Sequence, residues 1–142
     1  MSDLFHLIYA SKATQYFSQQ DIEELLLKSR QNNERINVHG ILLYDEGSFF
    51  QVLEGEKDGV LDLFDRVSTD TRHDSVVKII FEAIPEMSFP DWSMGYSLVS
   101  RRELGEIDGM NDFFDKQTCL ADIDAGRARK LLDAFSKGRW RV

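Results

Sequence analysis

The run HGILLYDEGSFFQVLEG, residues 39 to 55, constrains the fold more than any other stretch of this chain. Two apolar segments flank Asp45-Glu46-Gly47, with Gly47 suited to a left-handed position, so the run predicts a β-hairpin. Side chains of a strand alternate between two faces. Phe49, Gln51 and Leu53 therefore share one face of the second strand, and Ser48, Phe50, Val52 and Glu54 share the other. A primary amide between a phenylalanine and a leucine needs partners, since each orphaned polar group buried there costs about 1–3 kcal/mol. What satisfies Gln51 is the question the rest of the chain has to answer.

The elements around the hairpin fall into a familiar order. LFHLIYAS reads as a first strand, with Phe5, Leu7 and Tyr9 on one face and Leu4, His6 and Ile8 on the other. A helix follows, with Ser18 as N-cap and Asp21 closing an acidic variant of the capping box. Its apolar stripe is Ile22, Leu25 and Leu26, and the stripe turns polar at Ser29, Asn32 and Asn33. A second helix starts near Asp58, with Val60, Leu61, Phe64 and Val67 on one face. SVVKIIFEAIP is rich in β-branched residues, and WSMGYSLV reads as a last strand. The order βαββαββ is the ferredoxin-like plan with one extra strand, an α+β fold with a mixed five-stranded sheet and two helices on one face. Beyond residue 100, Ala128, Leu131, Leu132 and Phe135 give a helical stripe that would cover the sheet's other face. Residues 1–100 are expected to form the domain, and 101–142 an extension too short to be a second one.

Charge and cysteine content remove several functions. A formal charge of −8, from 25 acidic against 17 basic residues, argues against a large nucleic-acid footprint. A single cysteine, Cys119, excludes an intramolecular disulfide. The start MSDLFHLIYA has no basic n-region, and no apolar run reaches the roughly 18 residues of a membrane span, so the expected location is cytoplasmic. His6, His39 and His73 show no metal-ligand spacing, and there is no glycine-rich phosphate loop and no nucleophile elbow. A metal site and a catalytic constellation are therefore not expected.

What remains is a set of polar side chains directed into an apolar interior. The first and third strands can be neighbours, which would bring Tyr9 beside Gln51 with Ser29, Asn32 and Asn33 above them. Taken singly, Tyr9 suits a core tyrosine and Asn32-Asn33 a helix C-cap. Taken together they suit a planar heteroaromatic ligand, whose edge needs hydrogen bonds and whose faces need apolar contact.

These residues fall within motifs that resemble one family. LIYAS around Tyr9, SRQNN ending at Asn33, HGILLY, FFQVLEGE, DRVSTDTRH and FPDWSMG run in the order of the BLUF domain, from residue 4 to about residue 99. The resemblance implies a flavin-binding blue-light sensor that is not an enzyme. Its flavin, FAD with FMN or riboflavin as alternatives, would lie between the two helices. Tyr9 matches the tyrosine that gives an electron and a proton to excited flavin, and Gln51 matches the glutamine that bridges it to the ring. Asn33 matches the asparagine on the pyrimidine part of the ring, with Asn32 and Ser29 nearby. Leu25, Ile41, Leu42 and Phe49 would line the ring. Arg66, with Asp70, Arg72 and His73, would sit near the ribityl and phosphate end. Trp92 and Met94 match switch residues on the last strand. Asn37 and His39 depart from the family, giving NVHG where GITG is frequent.

The resemblance also implies partners. With no room for a cyclase or phosphodiesterase in 142 residues, a short sensor acting on a separate effector is expected. A cyclic-nucleotide phosphodiesterase or a transcription regulator would suit, with the sensor as a homo-oligomer and without nucleic-acid or membrane binding. Two other readings use the same fold. One is a regulatory module with a different ligand or none, which has no need of Tyr9, Asn33 and Gln51 together. The other is an acylphosphatase-like enzyme, whose arginine and asparagine phosphate loop is not evident.

Overall fold

In the computed structural model the hairpin forms as its sequence predicts. Strands β2 (His39–Asp45) and β3 (Ser48–Glu56) pair antiparallel, with Leu42 opposite Gln51. Gly47 takes φ 80° at the turn, the left-handed conformation that favours glycine. Gly40 is needed for a different reason: a Cβ there would lie 1.8 Å from the Val52 carbonyl oxygen. The structure describes residues 4–14, 17–45, 47–69, 73–89, 95–96 and 124–136.

Strand β1 (Leu4–Ala13) pairs antiparallel with β3 on one side and with β4 (His73–Ala83) on the other. The sheet order is β4-β1-β3-β2-β5, where β5 is the two-residue pairing of Gly95–Tyr96, parallel to β2. Four long antiparallel strands therefore make the body of an α+β fold. The remainder of the predicted last strand, including Trp92 and Met94, lies outside the described residues, as do Asp70 and Arg72.

Helices α1 (Gln19–Ile36) and α2 (Lys57–Ser68) cover one face of this sheet. Ser18 caps α1 as its sequence predicts: its hydroxyl accepts from the Asp21 N–H at 3.2 Å, and Asp21 accepts from the Ser18 N–H at 3.0 Å. The other end differs from the single-residue reading. The helix runs a further turn beyond Asn32-Asn33 and ends at Asn37, which takes the left-handed conformation at φ 55°. Asparagine tolerates that conformation better than most residues, so Asn37 is the C-cap and Asn32-Asn33 are not. Leu7, Tyr9, Phe49 and Leu53 of the sheet pack here with Ile22, Leu26, Val60 and Leu63.

The opposite face carries a second core. Ile8, Ala10, Ile41, Leu43, Phe50, Val52 and Ile80 pack against Ala128, Leu131 and Ala134 of helix α3 (Ala125–Ser136). The C-terminal helix thus covers the sheet as its apolar stripe predicts. An ionic contact adds to the apolar one, because Arg129 donates to both oxygens of Glu82 on β4, at 2.7 and 3.0 Å. His6 bonds the same carboxylate at 2.9 Å. Arg129 first, and His6 after it, pull the Glu82 carboxyl down from its ordinary 4.5 to about 2. The pairing therefore stabilises the fold fully above pH 4.5 and is lost as pH falls towards about 2. The expected result is a small gap between wild-type and Glu82→Gln urea midpoints at neutral pH, since the pair lies at the solvent edge. That gap should close in strong acid, and titrating the two midpoints against pH checks it.

Candidate functional site

Between the sheet and the two helices lies a cleft of about 240 Å³. Its floor is the register of β1 on β3, which sets Tyr9 opposite Gln51. Both are buried, Tyr9 at 2% and Gln51 at 7% exposed, and the Tyr9 hydroxyl donates to Gln51 Oε1. The amide between Phe49 and Leu53 is thus satisfied at its oxygen by the neighbouring strand, and its other end is a donor. Leu25 of α1, Leu42 and Phe49 of the hairpin, and Leu63 and Val67 of α2 supply apolar walls. Phe17 and Tyr44 hold the Phe49 ring edge-on, at centroid distances of 5.2 and 5.0 Å.

The polar end of α1 lies over this floor, and Ser29 and Asn32 line the cleft. Asn33, one residue further, is 1% exposed at the same helix end. Asn32 Oδ1 accepts from Arg35 at 2.8 Å and from Arg66 of α2 at 3.4 Å, so the two helices are stitched across the cleft's rim. Arg66 and Lys28 also line the cleft and give that rim positive charge.

Tyr9, Leu25, Ser29, Asn32, Leu42, Phe49, Gln51 and Arg66 are brought together as the sequence suggests. Ile41 is a correction. It faces the α3 core, because the β2–β3 register aligns Leu42 with Gln51 and sends Ile41 to the other side with Val52. His73 opens β4, while Asp70, Trp92 and Met94 lie outside the described residues. Phe17, Lys28, Leu63 and Val67 line the cleft without having been singled out as ligand contacts. Lys28 sits three residues after Leu25 on α1, and Leu63 four before Val67 on α2, so helical spacing held that information. Phe17 precedes α1 and carried no periodic signal.

The donor set fits a flavin. Apolar side chains stand where the faces of a planar ring need contact, a phenol and two kinds of amide stand where its edge needs hydrogen bonds, and cations stand at the open rim. Among the described residues no three His, Cys, Asp or Glu side chains are grouped to hold a metal ion.

Comparison with known proteins agrees with this reading. Residues 4–95 match the family model BLUF, "Sensors of blue-light using FAD". The chain is 34% identical over 94 residues to the photoactivated adenylate cyclase subunit beta of Euglena longa, covering 66% of this chain and 11% of that protein. It is 30% identical over 112 residues to the blue light- and temperature-regulated antirepressor BluF of Escherichia coli, covering 79% of this chain and 27% of that one. The chain thus spans only a minor part of these relatives' length. The dark-state structure of the BLUF protein BlrB superposes with a TM-score of 0.72 at 31% identity, covering 94% of this chain and 98% of that one. The chain belongs to the BLUF family of blue-light sensors, whose chromophore is FAD and whose flavin domain is itself a sensor rather than a catalyst.

Proposed function

We propose that Tyr9 and Gln51 are the light-switched pair of this photoreceptor. The observation that carries the reading is the buried hydrogen bond from the Tyr9 hydroxyl to Gln51 Oε1 at the floor of the cleft. Bound flavin supplies absorption of blue light and, when excited, an acceptor for an electron and a proton. Tyr9 is the donor the chain offers there, and its hydroxyl proton is already directed at the Gln51 amide oxygen. Gln51 has an acceptor end and a donor end, so rotation or tautomerisation leaves it with a different set of bonds while the chain's composition is unchanged. The product is a conformational signal.

Leu25, Leu42 and Phe49 would hold the ring faces, and Asn33 its pyrimidine part, with Ser29 and Asn32 nearby in the pocket. Arg66, with Asp70 and His73, would serve the ribityl and phosphate end. Residues 1–100 form the sensor in this reading, with Trp92 and Met94 as its switch residues. Residues 101–142 carry the signal outward. The receiver is a separate effector protein met by a cytoplasmic homo-oligomer, and a cyclic-nucleotide enzyme or a transcription regulator both suit the family's breadth.

An absorption spectrum of the purified, FAD-loaded chain, taken in the dark and just after blue light, tests the core of this reading. Flavin bands that shift to the red and recover in the dark are expected. A protein that takes up no flavin, or whose bands do not move, would sink it.

A further inference from the structure

On the α3 side of the sheet four ionisable side chains form one row. Glu82 of β4 is the cross-strand partner of His6 on β1, His6 is the partner of Glu54 on β3, and Glu54 is the partner of His39 on β2. Glu54 is the innermost acid of the row and has no exposed surface. Its carboxylate is held by backbone rather than by a cation: it accepts from the Ser88 N–H at 2.9 Å and from the Phe89 N–H at 2.5 Å. Those two residues belong to the connection that leads from β4 towards β5, and the Phe89 ring is buried in the core shared with α3.

The position of Glu54 relative to the light-sensing pair is fixed by strand geometry. Glu54 stands three residues after Gln51 on β3, and His6 three residues before Tyr9 on β1. Odd offsets put the two pairs on opposite faces of one two-stranded ladder. Tyr9–Gln51 faces the cleft, and His6–Glu54 faces the connection to the edge strand.

We propose that Glu54 is a positioning residue for the switch: its carboxylate pins the β4–β5 connection to the sheet, and its protonation sets how fast the lit state returns to the dark state. The proposal rests on the reading of Tyr9 and Gln51 as the light-switched pair. Ionised, each Glu54 oxygen accepts one backbone N–H. Protonated, one oxygen becomes a hydroxyl, a donor and a weaker acceptor, so one of the two N–H groups is held less tightly in a dry site. Glu54 then holds the connection by one strong hydrogen bond instead of two, and the edge strand rearranges more readily. Burial raises the proton affinity of Glu54, against the Ser88 and Phe89 N–H groups and the charges of His39 and His6. Among the described residues the facing groups are His6 from β1 and His39 from β2. Glu82 of β4 acts through His6, and Arg129 of α3 through Glu82.

The test uses the full chain loaded with FAD. The lit-minus-dark spectrum is recorded first, and the rate of dark recovery is then followed from mildly acid to mildly alkaline pH. A red shift of constant size is expected, with recovery that speeds up severalfold towards acid along a single titration. His39→Gln removes a charge that opposes protonation of Glu54, so it should move the midpoint to higher pH. Glu54→Gln should recover at the fast rate throughout. A wild-type rate that does not depend on pH overturns the proposal, and so does a midpoint unmoved by His39→Gln or still present in Glu54→Gln. If Glu54→Gln does not fold, the wild-type and His39→Gln profiles decide alone. A wild-type spectrum with no red shift would overturn the Tyr9–Gln51 reading and this one with it, whereas a red shift with flat kinetics strikes only Glu54.

Discussion

Flavin-loaded Gln51→Ala protein is expected to keep its flavin bands and lose the light-induced red shift completely. The substitution leaves the apolar walls in place, since Leu25, Leu42, Phe49 and Leu63 come from four different elements and none depends on the amide. It removes the amide that accepts the Tyr9 hydrogen bond and whose two ends, one donor and one acceptor, can be exchanged. Stability should fall modestly, because the Tyr9 hydroxyl loses its Gln51 acceptor in a buried site, at about 1–3 kcal/mol. A lit-minus-dark difference spectrum checks the outcome. A red shift of wild-type size in Gln51→Ala would move the switch to another side chain.

One residue earlier on the same strand, the expected effect is of the opposite kind. Phe50 is fully buried among Ile8, Leu43 and Leu131, on the face away from the cleft. Phe50→Ala removes a ring at the junction of sheet and α3 and leaves a cavity that the strands cannot close, at a cost of about 3–5 kcal/mol. That is a large share of the roughly 5–15 kcal/mol that holds a domain together. The urea midpoint should drop accordingly. A red shift of normal size should persist in whatever fraction remains folded at low denaturant. If Phe50→Ala were neutral in urea, α3 would not be the cover that completes this core.

The two outcomes differ because β3 is buried on both faces, and that much was legible in the sequence. Strict alternation around Gln51 put Phe49 and Leu53 on one face and Phe50 and Val52 on the other, and the structure places the two sets in different cores. β1 was legible for the same reason. Ser18 and Asp21 announced the start of α1, and the Ala128–Leu131 stripe announced a cover for the far face. HGILLY was not legible in this way. A continuous apolar run has no parity of its own, so Ile41 and Leu42 were both reasonable cleft residues until the pairing of Leu42 with Gln51 settled it. The bond of Arg66 to Asn32 joins residues 34 apart on different helices, and neither periodicity nor capping rules describe such a contact. The Glu82–His6–Glu54–His39 row requires three strand registers at once, which composition and spacing do not supply.

The sheet order has a consequence for how the chain comes to exist in the first place. β1 is made before β3 and β4 yet lies between them, so its hydrogen bonds cannot be completed until both have left the ribosome. His6 and Glu82 are 76 residues apart, and at roughly 5–20 residues per second about 4–15 s of synthesis separate them. Through that interval the β4-facing edge of the strand that carries Tyr9 has no partner strand, and long-range strand pairing is slow to follow. The strand that carries Tyr9 is thus translated before either of its neighbours, yet its pairing is completed only when the later of them arrives.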